Sequence, residues 1–232
     1  MKIIGLNGSP RRYGNTAKML EVALETAKTL GASVERIDLY QYKIEPCVGC
    51  LSDDELVCKL PCKIRDDMET IYNKIQEADG IIFATPVYWF NMSGVMKNFI
   101  DRITVFENMI HHVGRSLVEG KVAGIIAAGN EEGGAMVVAN LMITLNSMGF
   151  LIPPWGFAYY TKIGDALEDK NALYDSANVG VVIVKAIKRL SGEEWYTTDL
   201  PIDEIVNRVR NRISKMFEKD YPWRKEKYLY ED

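Results

Sequence analysis

Five short apolar runs, each followed by helical periodicity or a polar loop, limit what this chain of 232 residues can fold into. The runs cover residues 2–6, 34–39, 80–84, 121–128 and 150–152. Helical stripes cover residues 16–30, with Ala17, Leu20, Ala23, Leu24 and Ala27 on one face, and a stretch opening at Asp66 and Asp67 that buries Met68, Ile71, Ile75 and Ala78. Others start at Ser93, with Val95, Met96, Phe99 and Ile100, and cover residues 135–148 and 178–190. Such alternation predicts a parallel sheet with helices on both faces, because right-handed crossovers put them there. The third run is apolar on both faces and therefore central; the second, with Arg36 and Asp38, suits an edge. Length and strand count predict the order 2-1-3-4-5. Residues 104–119 have no clear period and are expected to loop over the surface.

In such sheets ligands bind beyond the carboxyl ends of the strands. Three of those ends carry unusual loops. The first, residues 7–15, is rich in Gly, Ser, Pro and Asn and runs straight into a helix. Free N–H groups and the positive helix end converge there, as in a phosphate site. Ser9, Asn15 and Thr16 can donate further hydrogen bonds, and Arg11 adds a forked charge. The bland alternative is a surface turn capped by Asn15 or Thr16. The loop is neither an NTP P-loop nor a dinucleotide fingerprint. The second loop puts Pro86, Val87, Tyr88 and Trp89 after a buried strand, where aromatics either meet a flat ligand or plug the core. The third, with Gly129, Gly133 and Gly134, allows close approach of the backbone.

All four cysteines, Cys47, Cys50, Cys58 and Cys62, fall in one polar segment. Disulfides that staple a secreted chain are more often scattered, so the cluster points to metal in a reducing compartment. Four thiolates suit zinc or an iron–sulfur cluster, and Cys47 with Cys50 alone could form a redox disulfide. His111 and His112, adjacent in an irregular segment, are assigned no role, and Glu131 with Glu132 reads as a solvated turn.

A net charge of −4 gives no basic footprint for nucleic acid. No stretch is long and apolar enough to span a membrane, and no secretory signal is visible, so the expected location is cytoplasmic. Residues 1–190 read as one domain with a cysteine loop at 43–65, and residues 191–232 as a C-terminal helical extension. Its amphipathic stretch (Ile202, Ile205, Val206, Val209, Ile213) either packs on its own domain or reaches a neighbouring subunit.

The stretch Gly8-Ser-Pro-Arg-Arg-Tyr-Gly-Asn-Thr16 closely resembles the phosphate loop of the flavodoxin-like NADPH-dependent FMN reductase family, and the resemblance runs from residue 1 to about residue 150. It implies a flavodoxin-like three-layer α/β sandwich that binds FMN, with Ser9, Arg11, Asn15 and Thr16 on the phosphate. Residues 85–94, Thr-Pro-Val-Tyr-Trp-Phe-Asn-Met-Ser-Gly, resemble the family's isoalloxazine loop, which implies that Pro86, Val87, Tyr88, Trp89 and Asn91 meet the ring, with Gly129 and Gly133 flanking it. The cysteines, followed by Asp66-Asp-Met68, resemble those of the iron–sulfur flavoprotein branch and imply a [4Fe–4S] cluster. The spacing departs from that branch. Its third cysteine falls three residues after the second, at Asp53 here, and the third thiol is Cys58 instead, which keeps zinc or an empty thiol site open.

The implied function is electron transfer between a soluble carrier such as ferredoxin, or NAD(P)H, the cluster and FMN, in a homo-oligomer (dimer or tetramer) where one chain's cluster faces another's flavin. Chemistry is carried by FMN, so no catalytic side chain is expected. The rivals are an NAD(P)H-dependent FMN or quinone reductase with structural thiols or zinc, and a non-catalytic interaction protein on the same fold.

Overall fold

The computed structural model describes residues 1–188 and 200–228, the last five by backbone alone. Strands β1 (Lys2–Asn7), β2 (Ser33–Asp38), β3 (Gly80–Pro86), β4 (Val122–Gly129) and β5 (Phe157–Thr161) form one sheet. Its order is β2-β1-β3-β4-β5, with every pairing parallel. The expected flavodoxin-like architecture is therefore the observed one. The helices are α1 (Asn15–Thr29), α2 (Met68–Glu77), α3 (Gly94–Asn108), α4 (Ile110–Val113), α5 (Gly134–Ser147), α6 (Lys170–Ile187) and α7 (Ile202–Tyr228).

The pleat divides the core. Successive strand side chains face opposite ways, so Ile4, Leu6, Ile81, Phe83 and Ile125 pack against α2, α3 and α5. Their neighbours Ile3, Ile82, Ala84 and Ile126 pack against α1 and α6. Helices α1 and α6 touch closely because Gly180 has no side chain: a Cβ there would lie 2.2 Å from the Ala23 carbonyl oxygen. Along α7, Ile205, Val206, Val209 and Ile213 lie on Ala17 and Val22 of α1 and on Leu173 and Ala177 of α6. The buried Glu21 and Glu25 of α1 receive Arg212 from α7, and Arg36 of β2 also reaches Glu21.

Three elements differ from expectation. The fifth strand is Phe157–Thr161, not residues 150–152. Leu151 makes a single bridge to Val122, and then Pro153 and Pro154 break the ladder because proline has no N–H to give it. Pairing resumes where Gly156 accepts the Ile125 N–H, and the edge strand alternates exposed Phe157 and Tyr159 with buried Ala158 and Tyr160. Residues 104–113 are mostly helical, not a surface loop, because the stripe Phe99, Ile103, Phe106 carries α3 on to Asn108. Helix α6 starts eight residues before Asn178, at Lys170, with the Asp169 carboxylate accepting the Ala172 N–H at 3.0 Å. Its expected end at Leu190 and the start of the extension at 191–199 lie outside the described residues, as do residues 229–232. No helix among the described residues is long and apolar enough to cross a membrane.

Candidate functional site

The loops after β1, β3 and β4 meet at the carboxyl ends of three adjacent strands, and backbone bonds stitch them together. The Gly8 N–H donates to the Ala84 carbonyl at 2.7 Å, and the Ser93 hydroxyl donates to the Gly8 carbonyl at 2.7 Å. The Val87 N–H donates to the Ala128 carbonyl at 2.8 Å. Inside the first loop the Asn7 carboxamide accepts the Ser9 N–H, and the Ser9 oxygen accepts the Arg11 N–H at 3.1 Å. Among the described residues the Ser9 O–H proton has no acceptor.

Gly14 precedes helix α1 as its N-cap, so no side chain caps the helix. Its first-turn N–H groups have no intrahelical acceptor, and they open on a cavity of about 150 Å³. Ser9, Arg11, Asn15 and Thr16 line one side of it, Pro86, Val87 and Tyr88 another, and Gly129 with Asn130 a third. This set of donors suits an anion such as a phosphate. The Asn15 side chain is already engaged, so Asn15 offers the cavity its backbone alone: its side-chain amide donates to the Gly164 carbonyl at 2.9 Å, and its oxygen accepts the Ala166 N–H at 3.1 Å. A second, more open concavity of about 820 Å³ shares Val87, Gly129 and Asn130 with the first and continues to Trp89, Phe90 and Thr161. A still larger hollow at the opposite end of the sheet, around Asp79 and Lys121, touches none of these loops.

The second loop is a two-residue hairpin closed by Tyr88 and Asn91, which exchange N–H···O bonds of 2.8 and 3.1 Å. Its tip residues, Trp89 and Phe90, have φ of +50° and +62°, the left-handed pair of a type I′ turn that ordinarily takes Asn and Gly. Trp89 is 95% exposed. Two strained aromatics presented to solvent beside a cavity are the mark of a functional turn. Asn91 lines neither concavity. Its side-chain oxygen accepts the Met92 N–H and the Asn140 amide, pinning the hairpin to α5. Gly133 lies behind the tip with φ +98°, where a Cβ would crowd Phe90 at 3.0 Å, and a Cβ on Gly129 would come within 3.1 Å of Val87. Both glycines let the third loop close up on the hairpin.

Sequence reasoning passed over Asn130, Phe90 and Thr161. Asn130 lines both concavities, and its place just past the end of β4 was the available signal. Thr161 was hidden by the misplaced fifth strand.

The cysteine segment lies against α3 and α4. The Asn108 amide donates to the carbonyls of Glu55 at 2.7 Å and Cys58 at 2.8 Å. Arg102, also from α3, donates to the Glu45 carbonyl at 2.9 Å and pairs with Asp66. Burial alone would raise the Asp66 carboxyl. The Arg102 guanidinium and the N–H groups of Glu45 and Met68 outweigh it and hold the group below its usual range. All four thiols are free and half-buried. Burial pushes the Cys58 thiol up to about 12, with Cys50, Cys47 and Cys62 close enough to add to it. The sulfurs thus share one neighbourhood, and the donor set suits a soft metal or an iron–sulfur cluster. Among the described residues no three His, Cys, Asp or Glu side chains are gathered as a metal site.

The chain matches the NADPH-dependent FMN reductase family over residues 1–162. An iron–sulfur flavoprotein of Archaeoglobus fulgidus is 32% identical over 229 residues, 98% of this chain and 99% of that protein. Another, of Methanocaldococcus jannaschii, is 37% identical over 200 residues, 81% of this chain and 98% of that protein. Among solved structures, RosB with a bound 8-demethyl-8-formylriboflavin-5'-phosphate intermediate superposes with a TM-score of 0.69 at 18% identity, covering 91% of this chain and 87% of that one; at that identity it speaks for the fold. The loops after β1, β3 and β4 meet at one cleft, and the Archaeoglobus and Methanocaldococcus relatives are named as flavoproteins: this chain belongs to the NADPH-dependent FMN reductase family and is an FMN-dependent oxidoreductase.

Proposed function

We propose that this protein passes electrons between a soluble donor, such as ferredoxin or NAD(P)H, and an acceptor by way of FMN and a [4Fe–4S] cluster. FMN supplies hydride and one-electron chemistry when bound, and the cluster a one-electron relay. The chain's own residues do the rest. Ser9, Arg11, Thr16 and the first-turn N–H groups of α1 would hold the phosphate. The Trp89 and Phe90 N–H groups at the hairpin tip and those of the loop after Gly129 would be offered to the ring, where donors bias its potential. Cys47, Cys50, Cys58 and Cys62 would hold the cluster. The observation that carries the reading is the placement of all four thiols on one loop that α3 ties to the hairpin: Ser93 caps this helix at the hairpin, while Arg102 and Asn108 grip the cysteine loop. Ser93 and Arg102 are nine residues apart, about 13 Å of helix rise. Pairing of subunits in a homo-oligomer would bring one chain's cluster nearer to another's ring.

Protein purified without oxygen tests this. Flavin bands with a broad visible shoulder that bleaches with dithionite, and iron with labile sulfide at four per chain, are the expected result. Flavin bands with zinc, or with no metal, would leave an FMN reductase with structural thiols.

A further inference from the structure

We propose that Arg102 is the positioning residue of the cysteine loop, closing both of its ends and donating a hydrogen bond to the sulfur of Cys62. The inference rests on the cluster reading above for its redox part alone. Arg102 is 2% exposed, a buried guanidinium on a helix of the main domain. One terminal nitrogen donates to the Glu45 carbonyl, two residues before the first cysteine. The other donates to Asp66 at 3.1 Å and the Ile64 carbonyl at 3.5 Å, just past the last cysteine, and reaches the Cys62 sulfur at 3.7 Å. One side chain therefore holds the entry and the exit of the segment that carries all four thiols.

The arrangement is not one that stability alone would select. The Arg102 Nε is buried and has no hydrogen-bond partner among the described residues, and an unmade bond of that kind is unfavourable. Asp66 takes the fork of the guanidinium, which orients the plane and aims one N–H at sulfur. Hydrogen bonds to cluster sulfurs set cluster potentials. A donated N–H with a positive charge behind it favours the reduced, more negative cluster. Lysine keeps the charge but is a point donor, so it cannot serve Asp66, the Glu45 carbonyl and sulfur together.

The test is Arg102→Lys in the full chain, read two ways. In protein loaded with iron, sulfide and FMN, the one-electron reduction equilibrium of the cluster should shift about tenfold toward the oxidised form, 59 mV for such a couple, with the FMN midpoint unchanged. A cluster titrating as in the wild type overturns the proposal. In iron-free protein, hydrogen exchange followed by mass spectrometry should quicken about tenfold across residues 43–66 and stay unchanged across residues 2–16 and 122–134. Unchanged exchange at 43–66 overturns it too. If the wild type takes up no iron, the cluster reading fails, while the exchange measurement still decides whether Arg102 holds the loop. Should Arg102→Lys fail to bind FMN, Asp66→Asn, which removes the carboxylate that aims the guanidinium, is judged by the same exchange measurement.

Discussion

At the scale of single residues, the proposed phosphate and ring ends of the cleft make different demands, and two substitutions separate them. Arg11 is exposed at the cavity mouth and makes no ion pair among the described residues, so its charge is free for an anion. A hydrogen bond to a charged group contributes about 1.5–3 kcal/mol, so Arg11→Ala should raise the Kd for FMN by about tenfold to a hundredfold. The Kd for riboflavin, which lacks the phosphate, should not move; fluorescence titration with the two ligands decides this, and equal losses for both would remove Arg11 from the phosphate site. Trp89 makes the opposite case. It is almost wholly exposed at φ +50°, so little packing is lost on removing it, and Asn fits that turn position better. Trp89→Asn should stabilise the fold by about 1 kcal/mol, seen as a higher Tm, and slow reduction of the bound flavin. A variant with a lower Tm and full activity would leave the strain without a purpose.

At the scale of elements, α7 reaches the loop between β1 and α1 from the far end of the chain. Tyr13, within that loop, meets Phe217 edge-on with ring centres 4.9 Å apart, and Arg12 pairs with Asp220 at 3.2 Å. An aromatic pair of this geometry contributes about 0.5–1.5 kcal/mol. Phe217→Ala should therefore loosen the loop and weaken FMN binding by up to about tenfold. Isothermal titration with FMN measures it, and an unchanged Kd would separate α7 from the cofactor site. Element by element, the sequence was most readable where local chemistry and tertiary role agree. Strand β1, its polar loop and the start of α1 were legible because apolar run, turn residues and helical stripe follow one another without overlap. The fifth strand was misplaced because Phe150, Leu151 and Ile152 are as apolar as a strand, whereas Phe157–Thr161 alternates as an edge does and follows two prolines. The role of Arg102 had no signal at all: an arginine in a helical stripe reads as solvated, and only the fold shows the cysteine loop wrapped around it.

At the scale of the whole molecule, acid should loosen three separate joints. Glu25 of α1 faces α7, Asp66 lies at the root of the cysteine loop, and Asp165 lies beside the first turn of α1, where Lys18 donates to it at 2.7 Å. In each, burial alone would raise the carboxyl, but hydrogen bonds and cationic neighbours outweigh it, and the group lies below its ordinary value. The sign follows from linkage: a carboxyl depressed in the folded state contributes stability that is fully present above its unfolded value, near about 4, and that is lost as pH falls through the folded value. Stability of the FMN-bound protein should thus be flat from about pH 7 to pH 5 as far as these groups are concerned and should decline below about pH 4. The α1–α7 joint can be isolated from the other two. Glu25→Gln cannot change charge on acidification, so its Tm should start lower than the wild type's at pH 7, because Arg208 and Arg212 lose their carboxylate, and should fall less steeply between pH 5 and pH 3. Melting curves of both proteins across that range test it. Parallel curves would mean that the joint between the tail helix and the FMN domain draws no stability from the charge of Glu25.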